Sequence, residues 1–131
     1  MKTIIIGENQ SINQAFSELL NSELSCCFSF IKPANLYSNG HPAEDFTADL
    51  ILIDLSSSIS NSRNFLQKIR QMKPLTPIIA LHFYTDIALA EELIQAGASA
   101  YLLINTSSLE LNNAIQHVLE GKKYISKDIL N

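Results

Sequence analysis

The sequence predicts a doubly wound α/β domain in which helices cover both faces of a five-stranded parallel sheet. Short apolar runs alternate with helical patterns along the chain, and this alternation is typical of parallel strands connected by right-handed crossovers. The third apolar run, Leu50 to Ile53, is continuous and contains β-branched residues. Such a run indicates a strand that is buried on both faces. We expect the strand order 2-1-3-4-5.

Five segments are predicted as strands, and turn-forming residues separate them. The strands cover residues 3–6, 26–31, 50–54, 78–81 and 98–104. Two prolines and a glycine interrupt the stretch between the second and third strands, so any helix there is short or irregular. Pro74 and Pro77 precede the fourth strand.

Four amphipathic patterns predict the helices that connect and follow these strands. The first helix begins with a capping box of Ser11 and Gln14, and the last begins with one of Ser107 and Glu110. Gly97 is the predicted residue after the third helix, which covers residues 87–96. The predicted buried positions are Ile12, Ala15, Phe16, Leu19 and Leu20 in the first helix, Phe65, Leu66, Ile69 and Met72 in the second, and Leu111, Ile115, Val118 and Leu119 in the last, which ends at Gly121.

Composition limits the classes of protein to which the chain can belong. With 131 residues, 47% of them hydrophobic, the chain suits one compact domain with a sizeable core. A net charge of -4 without a basic cluster argues against direct nucleic-acid binding. No apolar stretch is long enough for a membrane span or a secretory signal, so a cytoplasmic location is expected. We assign residues 1–126 to the domain and 127–131 to a tail or the start of a linker.

Several kinds of catalytic or cofactor site are excluded by the residues present. The four glycines, at positions 7, 40, 97 and 121, form neither a dinucleotide-binding fingerprint nor a P-loop. The three histidines, at positions 41, 82 and 117, lack metal-ligand spacing, and no serine occupies a nucleophile elbow. The adjacent Cys26 and Cys27 are expected to be buried hydrophobic residues. We therefore expect no enzymatic activity.

Asp54 is the most informative single residue, because it follows directly on the buried apolar run. In open α/β sheets, ligands and chemistry gather at the carboxyl ends of the strands. An acid at this position either takes part in chemistry or caps a turn. The residues alone leave both alternatives open.

Four phrases, in the order of the elements above, resemble the receiver domain of bacterial response regulators. They are IDLS at the third strand, PIIALHFYTD at the fourth, and AEELIQAGASAYLL followed by GKKYIS. The sequence is most similar to NarL/FixJ-type receivers, which often contain GASGYLLKDAS and finish near GxxYLS. The resemblance covers nearly the whole chain and implies a CheY-like, flavodoxin-like fold. In that family the last phrase leads to a linker and a DNA-binding helix-turn-helix, which these 131 residues do not contain.

The resemblance implies a role for each position of a phosphorylation site. Asp54 matches the phosphorylated aspartate, and Ser56 matches the residue whose backbone carbonyl binds magnesium. The two acids that end the first strand in the family correspond here to Gly7 and Glu8, so one carboxylate is missing. Asp54, Glu8 and Ser56 are therefore expected to bind magnesium weakly, if at all.

The resemblance also implies roles for three further positions of the family's switch, two of which depart from its pattern. His82 stands at the position of the hydroxyl residue that grips the phosphoryl group, and Ile104 replaces the lysine. Tyr101 matches the aromatic residue that tracks activation. Phosphoryl transfer depends on positioning and on cations, and Ile104 supplies no charge. We expect the nearby Asp54 carboxylate to raise the pKa of His82, whose charged ring would then substitute for the missing cation.

These replacements favour an atypical receiver, or pseudo-receiver, that acts as a protein-interaction module in two-component signalling. Its expected surface is the face formed by the third helix, the fifth strand and the last helix, with Tyr101 on or near it. The alternatives are a conventional magnesium-dependent phosphorylation switch that controls an output such as transcription, and a small-ligand module that uses the space beside Ile104. Expected partners are a sensor histidine kinase, another signalling protein or a second copy of the chain, with neither membrane nor nucleic acid.

Overall fold

The computed structural model describes residues 1–21, 27–38, 41–42, 47–56 and 61–130. The elements, in chain order, are β1 (Lys2–Ile6), α1 (Gln10–Asn21), β2 (Cys27–Ile31), a 3-10 helix (Pro33–Asn35), β3 (Leu50–Asp54), α2 (Ser62–Met72), β4 (Ile78–His82), α3 (Ile87–Ala96), β5 (Ala100–Leu103), α4 (Ser108–Leu119), β6 (Tyr124–Ile125) and α5 (Lys127–Leu130). Residues Tyr37–Ser38 and His41–Pro42 form a separate antiparallel pair. The expected burial of Cys26 and Cys27 concerns side chains outside the described part of the chain.

The main sheet has six strands in the order β2-β1-β3-β4-β5-β6, and every pairing is parallel. The predicted order 2-1-3-4-5 is therefore confirmed. The sixth strand, β6, was not predicted, because two residues are too few to show a periodicity. Asp54 lies opposite Leu81, and His82 lies opposite Leu103. This register brings the carboxyl ends of β3, β4 and β5 to one edge of the sheet, called here the carboxyl edge.

Two hydrophobic cores lie on opposite faces of the sheet. All residues of β3 and β4 are buried, as expected for central strands covered on both faces. One core lies between the sheet and helices α2 and α3, and the other lies between the sheet and helices α1 and α4. The first core includes Ile4, Ile6, Ile51, Ile53, Leu66, Ile69 and Leu93, and the second includes Ile5, Phe16, Leu20, Leu50, Leu52, Leu111 and Ile115. None of the described helices is long and apolar enough to cross a membrane.

The observed helix ends agree in part with those predicted from the sequence. Ser107 Oγ accepts a hydrogen bond from Glu110 N at 3.1 Å, which confirms the predicted start of α4. The predicted cap of α1 is wrong, because Asn9 Oδ1 accepts from Ile12 N at 3.1 Å and the helix begins at Gln10. Gly97, with φ 131°, ends α3 as predicted.

Two of the predicted buried positions in the helices are wrong. Ala15 and Leu119 are exposed. Ala15 directly precedes the buried Phe16, and Leu119 directly follows the buried Val118. A neighbouring position in an α-helix is rotated by about 100°, so both side chains lie at the margin of the apolar face.

Arg70, in the last turn of α2, connects this helix with two loops at the amino end of the sheet. Its Nε and Nη2 donate to the Gly97 carbonyl at 2.9 and 2.6 Å. Its Nη1 donates to the carbonyls of Thr76, Lys73 and Pro74 at 2.7, 3.0 and 3.2 Å. A Cβ at residue 97 would lie 2.9 Å from Arg70 Cβ, so this close approach requires glycine. Burial lowers the pKa of Arg70.

The segment after α4 folds back onto the sheet, where β6 pairs with β5. The Glu110 carboxylate binds this segment by accepting hydrogen bonds from Ser126 Oγ at 2.9 Å, Lys127 N at 2.9 Å and the Tyr124 hydroxyl at 3.2 Å. Burial raises the pKa of Glu110, but these hydrogen bonds outweigh it, so the net shift is downward. The domain boundary at residue 126 stays a prediction.

Candidate functional site

The carboxyl edge brings together four of the positions that the sequence singled out. Asp54 ends β3 and His82 ends β4, while Gly7 follows β1 and Ile104 follows β5. The backbone fixes their relative placement, since Ile104 N donates to the His82 carbonyl at 2.8 Å. Parallel strands end at the same edge, which is why these residues meet although they are far apart in sequence.

Asp54 is fully buried, and its two carboxylate oxygens have different surroundings. Oδ1 accepts hydrogen bonds from Ser56 N at 2.9 Å and from Ser56 Oγ at 2.5 Å. Oδ2 is also enclosed, but it accepts no hydrogen bond from the part of the chain that the structure describes. Neither oxygen is therefore presented to solvent, where a reacting group would have to approach.

Asn13, on the buried face of α1, fills the space beside Gly7. Its Nδ2 donates to the Gly7 carbonyl at 3.2 Å, and only 5% of the residue is exposed. A Cβ built on Gly7 would lie 2.6 Å from Asn13 Oδ1 and 3.1 Å from Asp54 Cβ. Asn13 Oδ1 has no hydrogen-bond partner among the described residues. The sequence interpretation missed Asn13, although a polar residue three positions before the buried Phe16 was a usable signal.

His82 is also buried, with 7% of the residue exposed. Its Nδ1 accepts a hydrogen bond from Phe83 N at 2.9 Å, so the neutral ring carries its proton on Nε2. Burial lowers the pKa of His82, and the attraction to Asp54, which raises it, is the smaller effect. The prediction of a raised pKa is therefore wrong. Removal of the charged imidazole from water destabilises the protonated ring by more than the nearby carboxylate stabilises it.

Because the pKa of His82 is lowered by folding, acidic solution should destabilise the protein through this residue. The unfolded chain, with a histidine pKa near ~6.5, binds the proton more tightly than the folded chain does. The contribution of His82 to the free energy of unfolding is therefore fully present above that pH. It decreases as the pH falls below that value, by at most about 1.4 kcal/mol per pH unit. Urea unfolding between neutral pH and pH ~5 measures this slope.

The control for this titration is a substitution of the histidine itself. His82→Gln should remove the slope that belongs to His82, whatever its effect on stability at neutral pH. A His82→Gln variant with the wild-type slope would show that this residue does not titrate differently in the two states.

Comparison with known proteins gives relatives that include a response regulator and a transcriptional regulatory protein. No protein-family model matches the chain. The chain is 32% identical over 81 residues to the response regulator UvrY of Escherichia coli K12, an alignment that covers 62% of this chain and 37% of UvrY. It is 34% identical over 88 residues to the transcriptional regulatory protein YdfI of Bacillus subtilis 168, covering 67% of this chain and 41% of YdfI. These alignments therefore span about two fifths of each relative.

Solved structures show the same fold over almost the whole chain. A LuxR-family two-component response regulator from Aurantimonas sp. SI85-9A1 has a TM-score of 0.78 at 19% identity, covering 98% of this chain and 91% of that one. The isolated REC domain of RcsB from Salmonella enterica serovar Typhimurium, solved with the phosphomimetic BeF3-, has a TM-score of 0.80 at 17% identity, covering 99% and 96%. This chain is a response regulator receiver domain. The resemblance to NarL/FixJ-type receivers is thereby confirmed.

The described residues of this receiver domain fit a magnesium ion poorly. Magnesium requires near-octahedral oxygen ligands and usually keeps several waters. Here Glu8 is exposed, Gly7 offers no side chain, and the Asp54 oxygens are enclosed. Within the described ranges, no three side chains of histidine, cysteine, aspartate or glutamate come close enough to hold a metal ion. The predicted set of Glu8, Asp54 and Ser56 stays a prediction, which this geometry disfavours.

Tyr101 lies inside the receiver domain and not on its surface as expected. It is fully buried, and its hydroxyl donates to the Tyr84 carbonyl at 2.7 Å. Burial raises the pKa of Tyr101 to about 12. The expectation failed because the Tyr101 side chain belongs to the core between the sheet and helices α2 and α3. The hydrogen bond to Tyr84 connects β5 with the loop after β4.

An open cleft of about 530 Å³ lies beside His82, between α2 and α3. Phe83 and Tyr84 line it and are 50% and 51% exposed. The rings of Phe83 and Tyr84 are in contact, with centroids 4.3 Å apart, and the ring of His82 lies 4.6 Å from that of Tyr84. The cleft is not beside Ile104, which packs against the core between the sheet and α1 and α4. The sequence interpretation did not single out the rings of Phe83 and Tyr84, although three aromatic residues follow one another at His82, Phe83 and Tyr84.

Proposed function

We propose that this domain is a pseudo-receiver, a protein-interaction module whose state does not depend on phosphorylation at Asp54. The observation that carries this proposal is the enclosure of Asp54. Phosphorylation of a carboxylate requires one oxygen to approach the phosphoryl donor in line. Oδ1 is held by two hydrogen bonds from Ser56, and Oδ2 is enclosed. Asp54 thus keeps the family's phosphoacceptor position without an accessible oxygen.

The charges around Asp54 also support the proposal. An acyl phosphate would add about two negative charges at the carboxyl edge. Ile104 stands there at the position where the family has a lysine. His82 is the predicted substitute for that cation, and burial lowers its pKa. A neutral His82 would stabilise the phosphoryl group only as a hydrogen-bond donor through Nε2, which is weaker than a charged contact.

We infer that the domain acts through binding and not through catalysis. Phe83 and Tyr84 form an exposed aromatic pair, and aromatic residues are enriched in protein interfaces. The partners we propose are a sensor histidine kinase, another signalling protein of the cytoplasm or a second copy of the chain. Regulation of transcription, which the names of relatives such as YdfI state for those proteins, would depend on a larger protein that contains this domain.

A conventional magnesium-dependent switch remains the second candidate, because Asp54 is retained at the end of β3. Incubation with acetyl phosphate and magnesium chloride, followed by intact mass measurement, distinguishes the two functions. We expect no added phosphoryl group under conditions that fully modify an intact receiver treated in parallel. An adduct that forms on the wild-type protein and disappears in Asp54→Ala would refute the pseudo-receiver.

A further inference from the structure

We propose that Asn13 closes the cation-binding space of this receiver domain, so that Gly7 and Asn13 act as a coupled pair. The loss of an acid at position 7 would then be only half of the change. The other half is the amide from α1 that occupies the vacated volume. This inference rests on the proposed function, because it explains why a pseudo-receiver would bind magnesium poorly.

The geometry places the two residues in competition for one volume. A side chain at position 7 would begin 2.6 Å from Asn13 Oδ1, well inside ordinary van der Waals contact. Asn13 is almost fully buried and donates to the Gly7 carbonyl, so a new side chain must displace a packed and hydrogen-bonded amide. Gly7 and Asn13 therefore accommodate each other, and neither change is expected to act alone.

The chemistry of the amide explains why it does not substitute for the missing acid. Asn13 Oδ1 is neutral, whereas magnesium sites in proteins generally rely on carboxylates. Asn13 Oδ1 and Asp54 Oδ2 are both enclosed acceptors without partners among the described residues. Their enclosure leaves little space for an ion that keeps its waters. The amide thus occupies the site without supplying the charge that a divalent cation requires.

The coupling predicts that an acid at position 7 restores magnesium binding only when Asn13 is shortened. The proteins to compare are the wild type, Gly7→Asp, Asn13→Ala and the double variant Gly7→Asp/Asn13→Ala. Each is titrated with magnesium chloride against sodium chloride of equal ionic strength, and thermal unfolding reports binding through the shift of Tm. We expect the double variant to bind magnesium at least about tenfold more tightly than either single variant, a coupling of about 1.4 kcal/mol.

The control pairs Gly7→Asp with Gln14→Ala, which shortens an exposed neighbour on α1 and should not improve binding. Asn13→Ser, also combined with Gly7→Asp, repeats the test if the alanine variant does not fold. The proposal is overturned if Gly7→Asp alone binds magnesium as tightly as the double variant. It is equally overturned if the wild type binds tightly and Asn13→Ala weakens binding, because Asn13 would then be a ligand. The magnesium titration uses no phosphodonor. A failure of this inference can therefore be distinguished from a failure of the proposed function, which is tested by phosphorylation of the wild-type protein.

Discussion

Replacing Arg70 with methionine should lower the free energy of unfolding by roughly 3 kcal/mol or more. The guanidinium donates to four backbone carbonyls, in Gly97, Thr76, Lys73 and Pro74. Methionine fills a similar volume but donates no hydrogen bond, so these carbonyls lose their partner in a partly buried place. Urea unfolding followed by circular dichroism measures the loss.

Arg63 provides a matched control, because it lies on the same helix and carries the same charge. Its side chain is half exposed, and its Nη1 lies 3.7 Å from Glu92 Oε1, an ion pair expected to contribute at most about 1 kcal/mol. Arg70→Lys should recover little of the loss, since an ammonium group cannot bond to the Gly97 and Thr76 carbonyls with a rigid planar fork. Equal destabilisation by Arg63→Met and Arg70→Met would contradict the structural role of Arg70.

The variant Asp54→Asn should be more stable than the wild-type protein, by about 1–3 kcal/mol. The carboxylate is fully buried, and none of the described salt bridges includes it. Asparagine keeps an oxygen that can accept both hydrogen bonds from Ser56, and it replaces the unpartnered Oδ2 with a donor. The neighbouring Asn13 Oδ1, which is also an acceptor without a partner, would then have a donor nearby.

The control for this variant is Glu91→Gln, which removes one negative charge at an exposed position of α3 and should change stability by less than about 0.5 kcal/mol. Chemical denaturation of the three proteins in parallel provides the comparison. Destabilisation in Asp54→Asn would mean that the carboxylate has a stabilising cation in solution. That result would also weaken the pseudo-receiver proposal.

The sequence was sufficient to predict the central part of the fold. Continuous apolar runs such as Leu50 to Ile53 are typical of a buried parallel strand. Gly97 indicated the end of a helix, because glycine easily adopts the backbone conformation found there. The missing features depend on tertiary pairing. Tyr124 and Ile125 become a strand because β5 offers an edge, and no local pattern in two residues predicts it. Asn9 caps α1 where Ser11 was an equally suitable residue.

The site was predictable in its positions but not in its surroundings. Gly7, Asp54 and His82 lie at the carboxyl edge as expected, because Asp54 and His82 end their strands and Gly7 directly follows one. The direction of the His82 pKa shift was not predictable, since it depends on how much protein surrounds the ring. Asn13 was missed for a related reason, because its contact with Gly7 joins a helix and a strand end whose spacing only the folded chain defines.

The short strand β6 has a consequence for how this sheet avoids aggregation. All four residues of β5 are buried, so an uncovered outer edge of this strand would combine apolar side chains with free backbone donors and acceptors. Such an edge is a template on which another chain can add a strand. Tyr124 and Ile125 pair with that edge, and the two charged residues Lys122 and Lys123 precede them. A shortened chain that ended before Tyr124 would lose the contacts of Tyr124, Ile125 and Ile129 with the two cores and would expose this self-associating edge.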